Sequence, residues 1–306
     1  MLKTPLWVQH AGYKRLFAPN QMTLGLFAPL ESHRGIPSLN PHYDLIEQAE
    51  QLGFGAIWMR DVPLYDSNFG DAGQVFDPWS YLGAIAARTQ RITIGTAAIV
   101  LPLRHPLHTA KAAASIDRLS EGRLILGVAT GDRPVEFPIF GTNYNNRGQV
   151  FRSAVKSMRQ AWSKDYNLYG IDTLPKPLQQ NIPIIVVGHS QQSLEWIGSH
   201  ADGWMYYPKG IQQTKLILNQ WQVVSSGFKP YLQGMVLDLA FNPKASPQPI
   251  HLGYTVGRNW LLDYLYEMKA SGVNHFTFGF LNAQRPVDEV IQELAEEILP
   301  HFPSIN

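Results

Sequence analysis

The stretch ITIGTAAIVLPLRHPLHTAKAAASIDRLSEGRLILGVA, Ile92–Ala129, decides the fold. It opens on a continuous apolar run, Ile92–Leu101, passes through a proline-led segment, Pro106–Leu119, and closes on a second apolar run, Arg123–Ala129. Continuous apolar runs, as opposed to strict alternations, suit parallel strands covered on both faces. Proline is well placed in a first helical turn, so the middle segment reads as the helix of a strand–helix–strand unit.

The same unit recurs on both sides. Before it, strands read at Met22–Ala28 and Ala56–Arg60, with helices from Asn40-Pro41 to Gly53 and from Pro78 to Thr89. After it, a long loop to Asn146 leads into a helix through Trp162. Strands follow at Ile184–Val187, Gly203–Tyr207, Tyr231–Ala240 and Val273–Phe280. Their helices fall at Gln191–His200, Ile211–Val224, Gly257–Ser271 and Val287–Leu299. Eight strands alternating with eight helices in 306 residues predict the α/β class and a closed (β/α)8 TIM barrel. An open doubly wound sheet is the alternative, but the GxGxxG turn of its dinucleotide-binding version is absent. Residues 1–20 read as an irregular extension. Pro243–Pro249 (PKASPQP) is the most linker-like segment, yet it sits inside the strand–helix rhythm, so residues 1–306 read as a single domain.

Charged residues are 16% of the chain, against a norm of roughly 25%. Lys plus Arg (25) nearly cancels Asp plus Glu (24), which gives no electrostatic footprint for nucleic acid or an anionic membrane. With no cysteine there is no disulfide, thiolate metal site or cysteine nucleophile. The longest uncharged apolar-rich run, Ile92–Leu103, is too short to span a bilayer. The first residues carry basic groups but no continuous apolar core ending in small residues, so they do not read as a signal peptide. A soluble, cytoplasmic protein is the expectation.

A barrel of this kind builds its active site at the carboxyl ends of its strands. That rule nominates Asp61, Ala97–Pro102, Thr130–Arg133, Gly188–Ser193 and Tyr206–Lys209. The most informative of these is VVGHSQQSLEW, Val186–Trp196, where a strand ends in glycine and a helix begins under Ser190 and Ser193. Free backbone N–H groups and the helix dipole suit a phosphate there. The plainer reading makes Ser190 an N-cap, with Ser193 in the first turn. His105 and His108 have the i, i+3 spacing of a metal pair, but no acidic residue follows within a turn and the first strand has no HxH. No metal site is therefore expected, and His105 reads as structural or substrate-facing. Lys209 would need a desolvated setting to form a Schiff base, and the adjoining PKG looks like an exposed turn. Trp204, Tyr206 and Tyr207 cluster on one strand, where two sharing a face could wall a flat ring; Tyr207 is nominated on that ground.

Taken together, Ile92–Gly148 closely resembles the bacterial-luciferase-like flavin monooxygenases. The shared features, in order, are the GTAAIVLP strand end, the HP-x-x-x-A helix start, the D-x-x-S-x-GR turn and the FG-x-x-x-x-x-R loop. FGAIWMRD (Phe54–Asp61) and IIVVGHSQQSLEW (Ile184–Trp196) match as well. The resemblance implies a barrel, usually a homodimer, that holds reduced flavin mononucleotide (FMN) for reaction with oxygen and a small organic substrate. A separate reductase supplies the flavin, and some members use a deazaflavin for hydride transfer instead. Carried across, Ala97 and Ala98 lie under the flavin, joined by a cis peptide. Ala129 and Thr130 flank the ring and phosphate, Gly188, His189, Ser190 and Ser193 form the phosphate turn, and Arg147 lies one position off a phosphate-contacting arginine.

Two positions depart from the family pattern. Asp61 stands where luciferases carry a catalytic histidine, and Thr130 where luciferase has arginine. The expected enzyme is a flavin-dependent monooxygenase with Asp61 as acid/base and His105 and Arg133 as polar groups facing substrate. Asp61 would need a raised pKa, which burial could supply, and no structural partner for it is evident in the sequence. The alternatives are a deazaflavin-dependent dehydrogenase, a flavin-binding protein with little turnover, and a phosphate-binding barrel without flavin.

Overall fold

Buried apolar strands flanked by capped helices build the chain in the expected order. A computed structural model describes residues 9–32, 36–66, 68 and 76–305. The elements of the first half are α1 (Ala11–Leu16), β1 (Thr23–Phe27), α2 (Tyr43–Leu52), β2 (Ala56–Met59), α3 (Pro78–Arg88), β3 (Thr93–Thr96), β4 (Ile99–Val100), α4 (Pro106–Leu119) and β5 (Leu124–Ala129). Next come α5 (Glu136–Ile139), α6 (Arg147–Trp162), β6 (Ile184–Val187), α7 (Leu194–His200), β7 (Gly203–Tyr206), α8 (Ile211–Val224) and β8 (Tyr231–Leu239). The chain closes with β9 (Gln248–Ile250), β10 (Gly253–Val256), α9 (Arg258–Ser271), β11 (His275–Gly279) and α10 (Val287–Glu297).

The strands run β1-β2-β3-β5-β6-β7-β8-β11 in parallel, and β11 pairs with both β8 and β1, which closes the (β/α)8 barrel. Local chemistry starts and stops the helices as the sequence suggested. Asp77 caps α3 by accepting from Trp79 N and Ser80 N ahead of Pro78, and Gly53 ends α2 at φ 100°.

Besides α5, a single helical turn inside the stretch read as a long loop to Asn146, three elements differ from the sequence reading. The expected strand Ile92–Leu101 is split into β3 and β4, and the Ala97–Ala98 peptide between them is cis, as the family resemblance implied. The loop containing Pro243–Pro249 ends in an antiparallel hairpin, β9 with β10, beside β8. Pro249 sits in the outermost strand, where a missing N–H breaks no ladder. The third difference is α1, a helix inside the stretch read as irregular; residues 1–8 of that stretch lie outside the described residues.

This short helix stoppers the amino end of the barrel. Gly12 N donates to Gly122 O, and Tyr13, Leu16 and Phe17 join Ala56, Trp58, Ile125, Ile185, Met205 and Leu232 in one buried cluster filling the lumen. Inside it, Trp58 Nε1–H donates to His275 Nε2 at 2.9 Å. An indole N–H can only donate, so that imidazole nitrogen is bare and the proton sits on Nδ1. Nδ1 meets Thr23 Oγ1 at 2.8 Å, and the Thr23 hydroxyl donates to Leu16 O at 3.1 Å. The relay is complete only with a neutral imidazole. Burial pushes the His275 pKa down from 6.5 to about 3.

The unfolded chain therefore binds the His275 proton across a range where the folded chain does not. Stability from this site is whole above pH 6.5 and falls as pH drops towards 3, by about 1.4 kcal/mol per pH unit. In urea titrations at a series of pH values, His275→Gln should be less stable than the parent at pH 7.5 by about 1–3 kcal/mol. The variant should lack this part of the slope between pH 6.5 and 4.5; identical slopes in both proteins would overturn the assignment.

Candidate active site

At the carboxyl ends of the strands the lumen is topped by Phe27, Ala97 and Val187, partly buried side chains that pack on the inner cluster. They form an apolar floor. Ala97 N donates to Met59 O across the strand ends. Beyond the cis peptide, Val100 pairs with Ala129, which brings the Ala97–Ala98 and Ala129–Thr130 ends of two strands together. Thr130 is buried, whereas Ala97, Ala98 and Ala129 are half-exposed.

Asp61 borders this floor, and the structure corrects the expectation that it has no structural partner. Its Oδ2 accepts from Val100 N (3.1 Å) and Arg104 Nε (2.8 Å), and its Oδ1 accepts from Arg104 Nη2 (2.7 Å). The carboxylate is 1% exposed and the guanidinium 25%. Burial works against the Arg104 charge, but the hydrogen bonds and charge of Asp61, with Asp77 behind it, outweigh that and raise its pKa. Two-point contact in a buried setting makes Asp61 a clamp between the end of β2 and the start of the β4–α4 connection. Its oxygens are already taken.

Arg133 lies on the loop after β5, buried, with Nη1 donating to Leu64 O at 3.2 Å. It thereby ties this loop to the one after β2. Glu136 stands 3.8 Å from the same nitrogen. The next residue, Phe137, is fully buried and meets the Tyr144 ring edge-on with 5.0 Å between centres. The Arg147 guanidinium lies 3.6 Å over the other end of this stack, on the Tyr144 ring, and donates to Tyr144 O.

The opposite wall is the turn after β6. Gly188, Ser190 and Gln191 all have positive φ (62°, 47° and 56°), so the backbone coils tightly before α7. Ser190 Oγ donates to Val187 O at 2.8 Å and braces the turn. Ser193 is the N-cap, accepting from Trp196 N at 3.2 Å, so the capping role falls on Ser193 and not on Ser190. Gln192 Nε2 donates to Gly148 O and Ser190 O, both at 2.9 Å. A Cβ at Gly148 would stand 2.8 Å from the Gln191 side chain, so only glycine lets the start of α6 come this close. That contact brings the start of α6 to the turn. Arg147 Nε is buried without a hydrogen-bond partner.

The aromatic wall is divided. Trp204 and Tyr206 share a face with ring centres 5.0 Å apart and pack with His189, while Trp204 Nε1 holds Gly188 O at 2.7 Å. Tyr207 lies against Gly188 from the other face, half-exposed. Lys209 faces the Tyr206 ring at 5.9 Å.

His105 is not brought to the floor. It caps α4 through Nδ1, accepting from Leu107 N, and its ring stands edge-on to His108 at 5.7 Å. Both are exposed and line a cleft of about 500 Å³ between Trp79 of α3 and the face of α4 that carries Lys111 and Ser115. Sequence reasoning passed over Arg104 and Glu136, and assigned Gln192 no role within the nominated Gly188–Ser193 turn. Only Arg104 carried a local signal, a cation next to a proline-led helix start.

The sequence profile of the luciferase-like monooxygenases matches residues 22–226. Uncharacterized protein Mb0978c of Mycobacterium bovis is 30% identical over 195 residues, which cover 60% of this chain and 68% of the relative. The F420-dependent hydroxymycolic acid dehydrogenase of Mycobacterium tuberculosis is 30% identical over 190 residues, 56% of this chain and 50% of that one, so the match spans half of its length. Among solved structures, monooxygenase RslO1 from Streptomyces bottropensis superposes with a TM-score of 0.74 over 92% of this chain and 100% of its own, at 20% identity. That last likeness is one of fold.

If Asp61 is a clamp, Asp61→Asn should lose the charge on both contacts to Arg104 and cost about 1–3 kcal/mol in urea denaturation. Unchanged stability would return Asp61 to the free acid/base role expected from sequence.

Proposed function

The chain belongs to the luciferase-like monooxygenase family, and on that premise we propose that it is a flavin-dependent oxidoreductase, a monooxygenase using reduced FMN and oxygen on a small organic substrate. The single observation that carries the reading is Arg147 Nε, a buried donor without an acceptor, one residue before the Gly148 that packs on the Gly188–Ser193 turn. A buried N–H of a charged group left unpaired is costly, and a phosphate oxygen is the acceptor that guanidinium geometry suits best. The residues present fit the group. In this reading the Gly188–Ser193 turn and Tyr207 would hold the phosphate, and Phe27, Ala97, Ala98, Ala129, Thr130 and Val187 would hold the ring.

When bound, the reduced ring supplies the electrons with which oxygen is activated. The chain's own residues hold and shield. The apolar floor excludes water from below, and Ser190 fixes the curvature of the turn through Val187 O. Asp61 and Arg133 keep the loops after β2 and β5 in register around the mouth. His105, at the outer cleft, is assigned no part in the chemistry.

A second reading, deazaflavin-dependent hydride transfer on the same barrel, is favoured by the match to an F420-dependent relative. A homodimer, a separate flavin reductase and a cytoplasmic setting belong to the main reading. The homodimer is supported by the low charged fraction. Among the described residues no helix is long and apolar enough to cross a membrane.

Titration with reduced FMN, reduced riboflavin and a reduced deazaflavin, followed by rapid mixing with oxygen, separates the readings. FMN should bind tightest, and its oxidation should be altered by the protein. Preference for the deazaflavin would favour the second reading, and no binding of any would defeat both. Arg147→Met should weaken FMN about 10- to 100-fold while changing riboflavin, which lacks the phosphate, by less than about threefold. Equal losses for the two ligands would remove Arg147 from the phosphate site. Light scattering on the pure protein checks the dimer, which a stable monomer at micromolar concentration would refute.

A further inference from the structure

The segment between α6 and β6 is fastened to the barrel by polar bonds, while its large apolar side chains face solvent. From α4, Lys111 Nζ donates to Leu174 O at 2.9 Å and Arg118 Nε to Lys176 O at 2.8 Å. Leu178 N donates to Asp117 Oδ2 at 2.7 Å. Thr173 Oγ1 and Lys176 Nζ both donate to Ala161 O at the end of α6. Meanwhile Leu168, Tyr169, Ile171, Leu174 and Leu178 are all exposed, Tyr169 by 95% and Ile171 by 70%. Scattered apolar residues on a surface are ordinary, but a run of them on one short segment marks a contact face.

The tip of this ledge is stiff. Leu168 and Ile171 exchange backbone hydrogen bonds of 3.0 and 2.9 Å around Tyr169 and Gly170, and Gly170 N donates to Asn167 Oδ1 at 2.7 Å. Both central residues have positive φ, 55° at Tyr169 and 83° at Gly170. Such a turn favours Asn-Gly, so a tyrosine in the left-handed region costs free energy. At 95% exposure its ring recovers nothing from the fold. A knob already fixed in this way has little ordering entropy left to lose when a partner covers it.

The charges around the knob select the partner. Lys111, Arg118 and Lys176 are each turned onto a carbonyl, and Lys176 also pairs with Asp172. Lys164 and Asp165, both exposed at the foot of the hairpin, carry opposite signs. The face therefore has no excess of either sign with which to hold an anionic lipid surface or an acidic peptide. An apolar centre with both signs at its edge is complementary to itself across a two-fold axis. Five such side chains suit the centre of an interface of standard size, about 800 Å² per partner.

We propose that the ledge Leu168–Leu178 is the face on which a second copy of this chain docks. The proposal rests on the homodimer of the reading above and gives it a surface.

Hydroxyl-radical footprinting of the unaltered protein tests it. Tyr169 should be protected at concentrations where light scattering reads a dimer and should become reactive on dilution to monomer. Phe241, an exposed aromatic on the loop after β8, should react equally in both. Full reactivity of Tyr169 in the dimer overturns the ledge while the homodimer stands. Tyr169→Asp combined with Ile171→Asp should weaken self-association by about 100-fold or more and keep the circular dichroism of the parent. An undiminished dimer in that variant also overturns the ledge, and if the variant fails to fold the footprint of the unaltered chain decides. A parent that is monomeric at micromolar concentration defeats homodimer and ledge together. Binding of that monomer to vesicles of phosphatidylserine and phosphatidylcholine, lost in the variant, would give the ledge to lipid instead.

Discussion

The Trp58 indole, laid across the lumen with its N–H on a buried imidazole, limits what almost every neighbour can be. A side chain at Gly95 would collide with its ring, and one at Gly25 would collide with the His275 imidazole that receives its proton. The imidazole in turn needs Thr23, and Thr23 needs the carbonyl of Leu16 on α1. One large ring thus links β1, β2, β3, β11 and the stopper helix in a packed column. Ala97 rests on the same cluster, so the height of the floor is set from within the lumen and not by the loops around it.

Much of the family's recognisable sequence serves the opposite end of the barrel. In the D-x-x-S-x-GR turn, Asp117 accepts from Leu178 N and meets His10 Nε2 at 2.7 Å, both side chains being fully buried. Arg123 of the same turn donates to Thr89 Oγ1 and to the carbonyls of Ala86, Thr89, Ser120 and Ile92, which ties off the end of α3. Glu50 accepts from the N–H groups of Gln90, Arg91 and Ile92 just ahead of β3. Asp117, Arg123 and Glu50 are engaged by these contacts at the end of the barrel away from the mouth, which explains why such a motif identifies a family without identifying a substrate.

The alternation of elements was legible in the sequence because each strand buries both faces and so leaves an unbroken apolar signature, as in Leu124–Ala129 and Ile184–Val187. The helix α1 was not, since six residues give too little periodicity to read, and their partners lie far along the chain. The site divides in the same way. The turn after β6 is built from neighbours, and glycine followed by two serines announces it. Asp61 could not be read correctly, because its partner is 43 residues away and a lone carboxylate looks the same whether clamped or free. Glu136 gave no signal at all: its character comes first from burial, which a sequence does not print.

The stopper at the amino end has a consequence for traffic. Among the described residues Tyr13, Leu16 and Phe17 fill the lumen from below, so the floor at Ala97 is the bottom of a well. Under the flavin reading, cofactor and substrate would therefore enter and leave by the same mouth.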